Sequence, residues 1–392
     1  MTVASKMQSF LERASWIRKM FEEGAQLKAK HGAESVFDFS LGNPKLEPPP
    51  RFKEVLADVV RASEGGHHSY MPNIGYPSVR QAVADFLSEE QGVAVSADEV
   101  IMTCGAAGAL NVILKTIIEP GDEVITPAPY FVEYGFYADN HGGVLKTVPT
   151  RPDFTLDLQA IRTAITPKTK AVLINSPNNP SGQVYDKESL LGLGTLLTEE
   201  GRNLDRTLYL IADEPYRKIT FDGIKVPSIF PCYAESILVT SYSKDLSIPG
   251  ERIGFLAVNP QATYRKDLLA GMALANRILG YVNAPALMQR TIQTLQGMSV
   301  DATIYQKKRD LLCDGLSECG FEFIKPKGAF YLFPKTPSSD DVAFVKALQE
   351  ELILTVPGSG FGAPGYFRIA FCVDDETIRR SLPGFQRVFE RF

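Results

Sequence analysis

Cysteine and histidine are scarce in this 392-residue chain, with five Cys (104, 232, 313, 319 and 372) and four His, two of them adjacent at 67 and 68. The cysteines are odd in number, scattered and without a CxxC pair. That pattern points to reduced thiols and away from a disulfide framework or a structural zinc site. Four histidines leave little material for His-centred hydrolytic or metal chemistry, and no metal is expected. No run of ~18 apolar residues exists, so the sequence offers no candidate membrane span. A formal net charge of −5 provides no basic footprint for nucleic acid or for an anionic membrane surface. The opening "MTVASKMQSFLERASWIRKMFEEGAQLKAK" lacks an apolar signal core and mixes both charge signs. A cytoplasmic location is therefore expected. There is no internal repeat and no low-complexity segment.

What the chain does have is length and ordinary globular chemistry. Its 44% hydrophobic and 22% charged content can bury a substantial core, and its length exceeds the ~250–300 residues at which one core stops growing. Residues 5–31 carry apolar residues at helical spacing. From about residue 99, short apolar strands bounded by turns alternate with helical segments: "EVIMTCG", "DEVITP", "GVLKTVPT", "KAVLINSP", "TLYLIAD", "ILVTSYSK" and "IGFLAVN". That alternation predicts an α/β fold with a mainly parallel sheet covered on both faces. Near residue 285 the pattern changes to a long helical stretch through "APALMQRTIQTLQGMSVDATIYQKKRDLLCDGLSECG". "FEFIKPKGAFYLFPK" and "YFRIAFCV" follow as antiparallel strands, an α+β arrangement. The expected division is a large domain over 46–285 and a discontinuous small domain from 1–45 and 286–392.

Ligands of parallel α/β sheets bind beyond the carboxyl ends of the strands. Four predicted strands end in polar or small residues: Gly105-Ala106-Ala107 opening a helix, "SPNNPSG" with Asn179, Asp213 before "EPY", and Ser241 before Lys244 and Arg252. Small residues at a strand-to-helix turn are either tight packing or a phosphate cradle of free N–H groups. Ser241 and Arg252, a hydroxyl and a guanidinium, favour the cradle. No GxGxxG follows a strand and no GxxxxGK[ST] occurs, which disfavours a dinucleotide or nucleoside triphosphate. Asp213 is either a helix N-cap or surface salt bridge, or a carboxylate that keeps a heterocyclic nitrogen protonated. Lys244, beside serines and a second cation, is either solvated or an amine of depressed pKa that can condense with a carbonyl. A phosphate anchor, a carboxylate for a ring nitrogen and an imine-forming lysine together describe a pyridoxal phosphate site.

At these residues the sequence resembles the class I and II aminotransferases, pyridoxal 5'-phosphate enzymes of fold type I. The stretch from Ser241 to Gly254, with Lys244, Gly250 and Arg252, is similar to the family's cofactor-lysine signature. "SPNNPSG" is similar to its Asn-Pro loop, "ADEPY" to its Asp-x-x-Tyr strand end, and "YFRIAF" to its C-terminal Arg motif. "SYMPNIGYPSVRQAV" resembles the segment that lends a Tyr to the neighbouring subunit. The resemblance covers essentially the whole chain in family order. It implies a seven-stranded-type large-domain sheet, a homodimer with shared sites, and amino acid and 2-oxo acid substrates. It also implies that Lys244 carries the cofactor and shuttles the proton, and that Asp213 pairs with the ring nitrogen. Asn179 and Tyr216 would bind the phenolic oxygen, and Tyr130 would stack on the ring. Gly105, Ala106, Ala107, Ser241, Arg252 and Tyr70 of a second copy would hold the phosphate. Arg368, assisted by Gly42 and Asn179, would clamp the substrate carboxylate.

Ser176 and Ser181 replace the first Asn and the Thr of the family's Asn-Pro loop; neither position bears the chemistry, so little consequence is expected. Cys104, just before the phosphate turn, reads as a small buried residue. An alternative on the same scaffold is a β-lyase acting on sulfur amino acids. A cofactor-binding regulator is disfavoured by the lack of room for a DNA-binding domain and by the intact Lys244. Arg277 in "LANRILGYVNAP" reads either as a surface or interface residue or as a contact for a distal substrate carboxylate.

Overall fold

A computed structural model of the chain describes residues 3–12, 16–62 and 65–392. Within the stretch expected to be one helix over 5–31, helices run from Ser5–Glu12 and Trp16–His31, and residues 13–15 lie outside the described part.

The strands, in chain order, are β1 (Phe37–Asp38), β2 (Val100–Thr103), β3 (Glu123–Ala128), β4 (Val144–Pro149), β5 (Thr169–Asn175), β6 (Tyr209–Asp213), β7 (Ser236–Ser241), β8 (Gly254–Val258), β9 (Tyr331–Leu332), β10 (Ile353–Leu354), β11 (Val356–Pro357) and β12 (Phe367–Ala370). The large sheet has seven strands in the order β2-β8-β7-β6-β5-β3-β4. Only β8 runs against its neighbours β2 and β7; the other pairings are parallel. The carboxyl ends of β2, β5, β6 and β7 therefore share one rim, as the sequence predicts.

Alternation along the strands explains how the sheet is covered on both faces. Val172 and Ile174 of β5, with Leu210 and Ala212 of β6, enter one buried cluster with Leu190, Leu193 and Leu197 of the helix Lys187–Asn203. Ala171 and Leu173, with Tyr209 and Ile211, enter the opposite cluster with Leu110, Val112 and Leu114 of the helix Gly105–Ile117. Successive residues of a strand point to opposite faces, so strands buried on both sides read as continuous apolar runs.

The C-terminal third has its own aromatic-rich core, in which Phe321, Phe344, Phe367 and Phe385 pack together. β11, β12 and β9 form an antiparallel three-stranded sheet, and β1 pairs with β10. These elements, with the helix pair Ala302–Glu318 and Asp375–Phe389, make the smaller α+β part. The long helical stretch expected after residue 285 is two helices, Ala286–Ile292 and Ala302–Glu318. Gly297 takes a left-handed φ of 79°, which a continuous helix cannot accommodate. Asp301 then caps the second helix by accepting from the Thr303 N–H at 2.9 Å.

Candidate active site

Local backbone choices set each functional side chain at the shared rim. β2 ends at Thr103, and Gly105 turns the chain into the helix Gly105–Ile117 with a φ of 70°. No side chain among the described residues caps that helix, so its first-turn N–H groups, including those of Ala106 and Ala107, can meet an anion. The Arg252 guanidinium lies against this turn: a Cβ built on Gly105 would sit 3.0 Å from Nη2. Arg252 itself adopts a left-handed φ of 53° and donates to the Pro249 carbonyl at 3.0 Å. Ser241 closes β7 directly before the short helix Tyr242–Asp245 that carries Lys244.

Asp213 ends β6 on the face of the sheet shared with Tyr134, whose O–H donates to Oδ2 at 2.6 Å. The other carboxylate oxygen, Oδ1, is buried with no hydrogen-bond partner among the described residues. Burial pushes the Asp213 carboxyl up to about 7, and the Tyr134 hydrogen bond pulls the other way. The next residue, Glu214, turns to the opposite side of the strand, where Arg217 binds it at 2.7 Å and reaches Glu90 at 2.8 Å. The chain just beyond β6 is thus held by ionic contacts on one side while Asp213 faces the site on the other.

The Asn-Pro loop is tied to β6 by one side chain. Asn175 donates from Nδ2 to the Asp213 carbonyl at 2.8 Å and accepts the Asn179 N–H on Oδ1 at 2.7 Å. Ser176 and Ser181, the two departures from the family loop, make local bonds: Ser176 Oγ accepts the Tyr185 N–H, and Ser181 donates from N and Oγ to Asn178 Oδ1. Asn179 Oδ1 in turn accepts from Arg368 Nη1 at 3.0 Å. Arg368, on β12, is 1% exposed, donates from Nη2 to the Ser40 carbonyl at 2.5 Å, and leaves Nε without a partner among the described residues. The rings of Tyr331 and Phe361 each lie 4.8 Å from its guanidinium carbon.

Lys244 Nζ donates to the Gly42 carbonyl at 2.8 Å. Burial lowers its amine from 10.5 to about 8, and the Arg252 and Arg368 charges act in the same direction. Cys104 is half-buried, and burial pushes its thiol upward, so it is not a ready thiolate.

A cavity of about 270 Å³ collects Gly42, Ala106, Ala107, Asn179, Asp213, Tyr216, Ser241, Lys244, Arg252 and Arg368. Four segments distant in sequence therefore converge as expected. Gly105 forms the turn behind Ala106 rather than lining the cavity. Tyr130 lies outside the lining, with its N–H bonded to the Phe361 carbonyl and its ring against Gly362; Phe131 and Tyr137 line the cavity instead. Tyr70 is 88% exposed and does not line this cavity, and Arg277 is exposed in the last turn of the helix Arg265–Ile278. Sequence reasoning missed Phe131, Tyr137, Asn175, Tyr134 and Tyr331. Asn175 was findable as a polar residue closing an apolar strand; the aromatics lie in runs too rich in rings for a single one to stand out.

These residues fit pyridoxal phosphate. The unpaired Asp213 Oδ1 suits a protonated ring nitrogen, the uncapped helix with Ser241 and Arg252 suits a phosphate, and Lys244 is an amine of lowered basicity. Fold and site together define an enzyme of the amino-group transfer class. The chain belongs to the family described as aminotransferase class I and II, which matches residues 34–383. It is 33% identical to a probable aspartate aminotransferase of Methanocaldococcus jannaschii, covering 90% of this chain and 93% of that one. It is also 33% identical to an aspartate/prephenate aminotransferase of Thermus thermophilus, covering 93% and 94%. A solved aminotransferase from Eubacterium rectale superposes with a TM-score of 0.96 at 39% identity over 100% of this chain and 99% of that one. The Thermus thermophilus aspartate aminotransferase solved with maleate gives 0.87 at 29% identity over 99% and 100%. This protein is accordingly an aminotransferase. Among the described residues, no helix is long and apolar enough to cross a membrane.

Proposed function

We propose that the protein moves the amino group of an L-amino acid, with aspartate the first candidate, to 2-oxoglutarate or pyruvate on pyridoxal 5'-phosphate. The relatives' names support aspartate, and all those named above are aminotransferases rather than β-lyases. The observation that carries the reading is a buried amine, Lys244, lowered to about 8, sharing one cavity with Asp213 and its unpaired oxygen.

Pyridoxal phosphate, when bound, supplies an aldehyde carbon that condenses with amines and a protonated ring that accepts electron density from the substrate Cα. Asp213 holds the proton on the ring nitrogen. Asn179 and Tyr216 donate to the phenolic oxygen, and Phe131 and Tyr137 take the ring-face position expected of Tyr130. Ala106 and Ala107, in the turn set by Gly105, bind the phosphate with Ser241, Arg252 and Tyr70 of a second copy. Arg368 clamps the substrate α-carboxylate through its planar fork, oriented by Asn179 and Tyr331, with Gly42 alongside. That leaves the neutral Lys244 amine next to the Cα–H bond. Its amine would take that proton and hold it between the substrate and the cofactor, the general-base role suited to a pKa near the working pH.

The shared Tyr70 role requires a homodimer in which each site is completed by the other chain. Exposed Arg277 lies on the helix we assign to side-chain recognition across that dimer. We further propose the division into 46–285 and 1–45 plus 286–392, on which Lys244, Asp213 and Arg252 belong to the sheet-bearing domain and Gly42 and Arg368 to the smaller one. A cytoplasmic setting suits five free cysteines.

The test is a panel of amino donors against 2-oxoglutarate and pyruvate, with visible spectra of the loaded protein and sedimentation at assay concentration. Lys244→Ala is expected to lose both turnover and the cofactor's linked absorbance. Normal transamination in that variant, or release of pyruvate and ammonia from cystathionine without an oxo acid, overturns the reading.

A further inference from the structure

We infer that Tyr331 is a positioning residue: its O–H donates to the Tyr216 oxygen and so turns the Tyr216 proton into the cavity. The inference rests on the pyridoxal phosphate reading above and concerns which of two phenols carries which proton.

The two phenol oxygens lie 2.8 Å apart, and either could donate from geometry alone. Among the described residues each is the other's one hydrogen-bond partner, and both residues are buried. A pair of hydroxyls places one proton between the oxygens and leaves the second to point elsewhere. Three features decide the direction.

The first is the backbone. Thr220 bridges Gly328, and the Ala329 N–H donates to the Ile219 carbonyl at 2.9 Å, so the strand bearing Tyr331 is laid alongside the segment that follows Tyr216. The rings meet edge-on, with centroids 5.6 Å apart at 84°. This fixes both hydroxyls on the cavity side of the contact.

The second is Gly42. A Cβ built there would lie 1.8 Å from the Tyr331 oxygen, so the hydroxyl sits flush on the Gly42 backbone. Among the described residues the Tyr331 hydroxyl has no acceptor other than the Tyr216 oxygen, and Gly42 is required by close approach.

The third is Arg368. Its guanidinium carbon stands 4.8 Å from the Tyr331 ring centre, against the face of that phenol. Burial raises both phenols and Arg368 pulls both down; Tyr331 comes to about 12, whereas Tyr216 goes well above its ordinary value. The stronger acid donates and the weaker accepts. Tyr216, relieved of donating to Tyr331, then presents its own proton to the cofactor's ring oxygen. Donor chains of this kind polarise one another, so the second bond is strengthened by the first.

The same ring thus serves two neighbours, packing on the carboxylate clamp with its face and ordering Tyr216 with its oxygen. Tyr331→Phe separates the two, because it keeps the ring on Arg368 and removes only the hydroxyl.

The experiment titrates the visible absorbance of the pyridoxal phosphate-loaded enzyme against pH in the wild type, Tyr331→Phe, Tyr216→Phe and the double variant. A donor to the ring oxygen stabilises its ionised form and lowers the midpoint, so losing that donor raises it. Tyr331→Phe is expected to raise the midpoint by about 0.3–1 pH unit, the equivalent of one ordinary hydrogen bond. Tyr216→Phe should shift it further in the same direction, and the double variant should match Tyr216→Phe alone. The KM for the amino donor should stay within about twofold in Tyr331→Phe, since the Arg368 packing is kept. An unmoved midpoint in Tyr331→Phe overturns the inference, as does a shift that persists undiminished when Tyr216 is already Phe. A wild-type protein with no cofactor absorbance overturns the functional reading itself, and this inference with it.

Discussion

The Tyr134–Asp213 hydrogen bond offers a stability measurement that needs no substrate. Burial raises the Asp213 carboxyl from 3.8 to about 7, against the pull of the Tyr134 donor at 2.6 Å. Because the folded value lies above the unfolded one, the cofactor-free protein loses stability as pH rises from about 4 to about 7. Over that window the unfolded chain releases the proton while the folded protein still holds it. Tyr134→Phe removes a donor that favours the ionised form, so the folded value rises further. Hydrogen bonds to charged groups are worth about 1.5–3 kcal/mol against about 0.5–1.5 for neutral pairs. The difference of about 1–1.5 kcal/mol corresponds to about one pKa unit, extending the window to about pH 8. Urea unfolding of cofactor-free wild type and Tyr134→Phe from pH 5 to 9 reads this directly. The penalty of the substitution should be smallest at pH 5 and grow by about 1–1.5 kcal/mol by pH 9. A penalty that is flat across the range, or that shrinks with pH, refutes the assignment of the bond to the ionised carboxylate.

Two further outcomes follow from the same cavity. The rate at which cofactor-free protein captures pyridoxal phosphate should climb through a midpoint near the Lys244 value of about 8, because only the neutral amine attacks. Stopped-flow absorbance checks this, and a midpoint close to 10.5, the ordinary lysine value, contradicts it. Arg368→Lys keeps a cation but loses the planar fork that meets Asn179 and Ser40. It should lower kcat/KM for amino acids by about 10- to 100-fold, as expected for a charge-assisted pair. Equal rates in the two proteins would place the carboxylate clamp elsewhere.

The chemistry of the site was legible wherever it is local. Ser241, Lys244 and Arg252 lie in one short stretch, and Asp213 follows an apolar strand where an unpaired carboxylate is conspicuous. The sheet was legible for a related reason: strands buried on both faces leave continuous apolar runs. Side chains that act through tertiary approach were not. Tyr331 reaches Tyr216 across 115 positions, and Tyr134 reaches Asp213 across 79. Nothing in "GAFYLF" or "PYFVEYGFY" marks which ring has a partner. In the second run a one-residue offset separates Tyr130, expected at the ring, from Phe131, which lines the cavity. The break between the helices Ala286–Ile292 and Ala302–Glu318 was hidden because one glycine within a helical pattern is often tolerated. Here the Asp301 cap and the left-handed Gly297 decide it.

Asn175 does more than close β5. Its side chain is held at both ends, by the Asp213 carbonyl and the Asn179 N–H. A single amide therefore acts as a spacer of fixed length between two neighbouring strand ends. The position of Asn179 is indexed to β6 rather than to the covalent path of the loop that follows it. Replacements within that loop, such as Ser176 and Ser181, can accumulate without moving the group that orients Arg368. Asn175→Asp, nearly identical in shape, loses the donor end of the spacer and leaves Asn179 tied to β5 alone. Tolerance of the loop and intolerance of this one residue are two sides of the same construction.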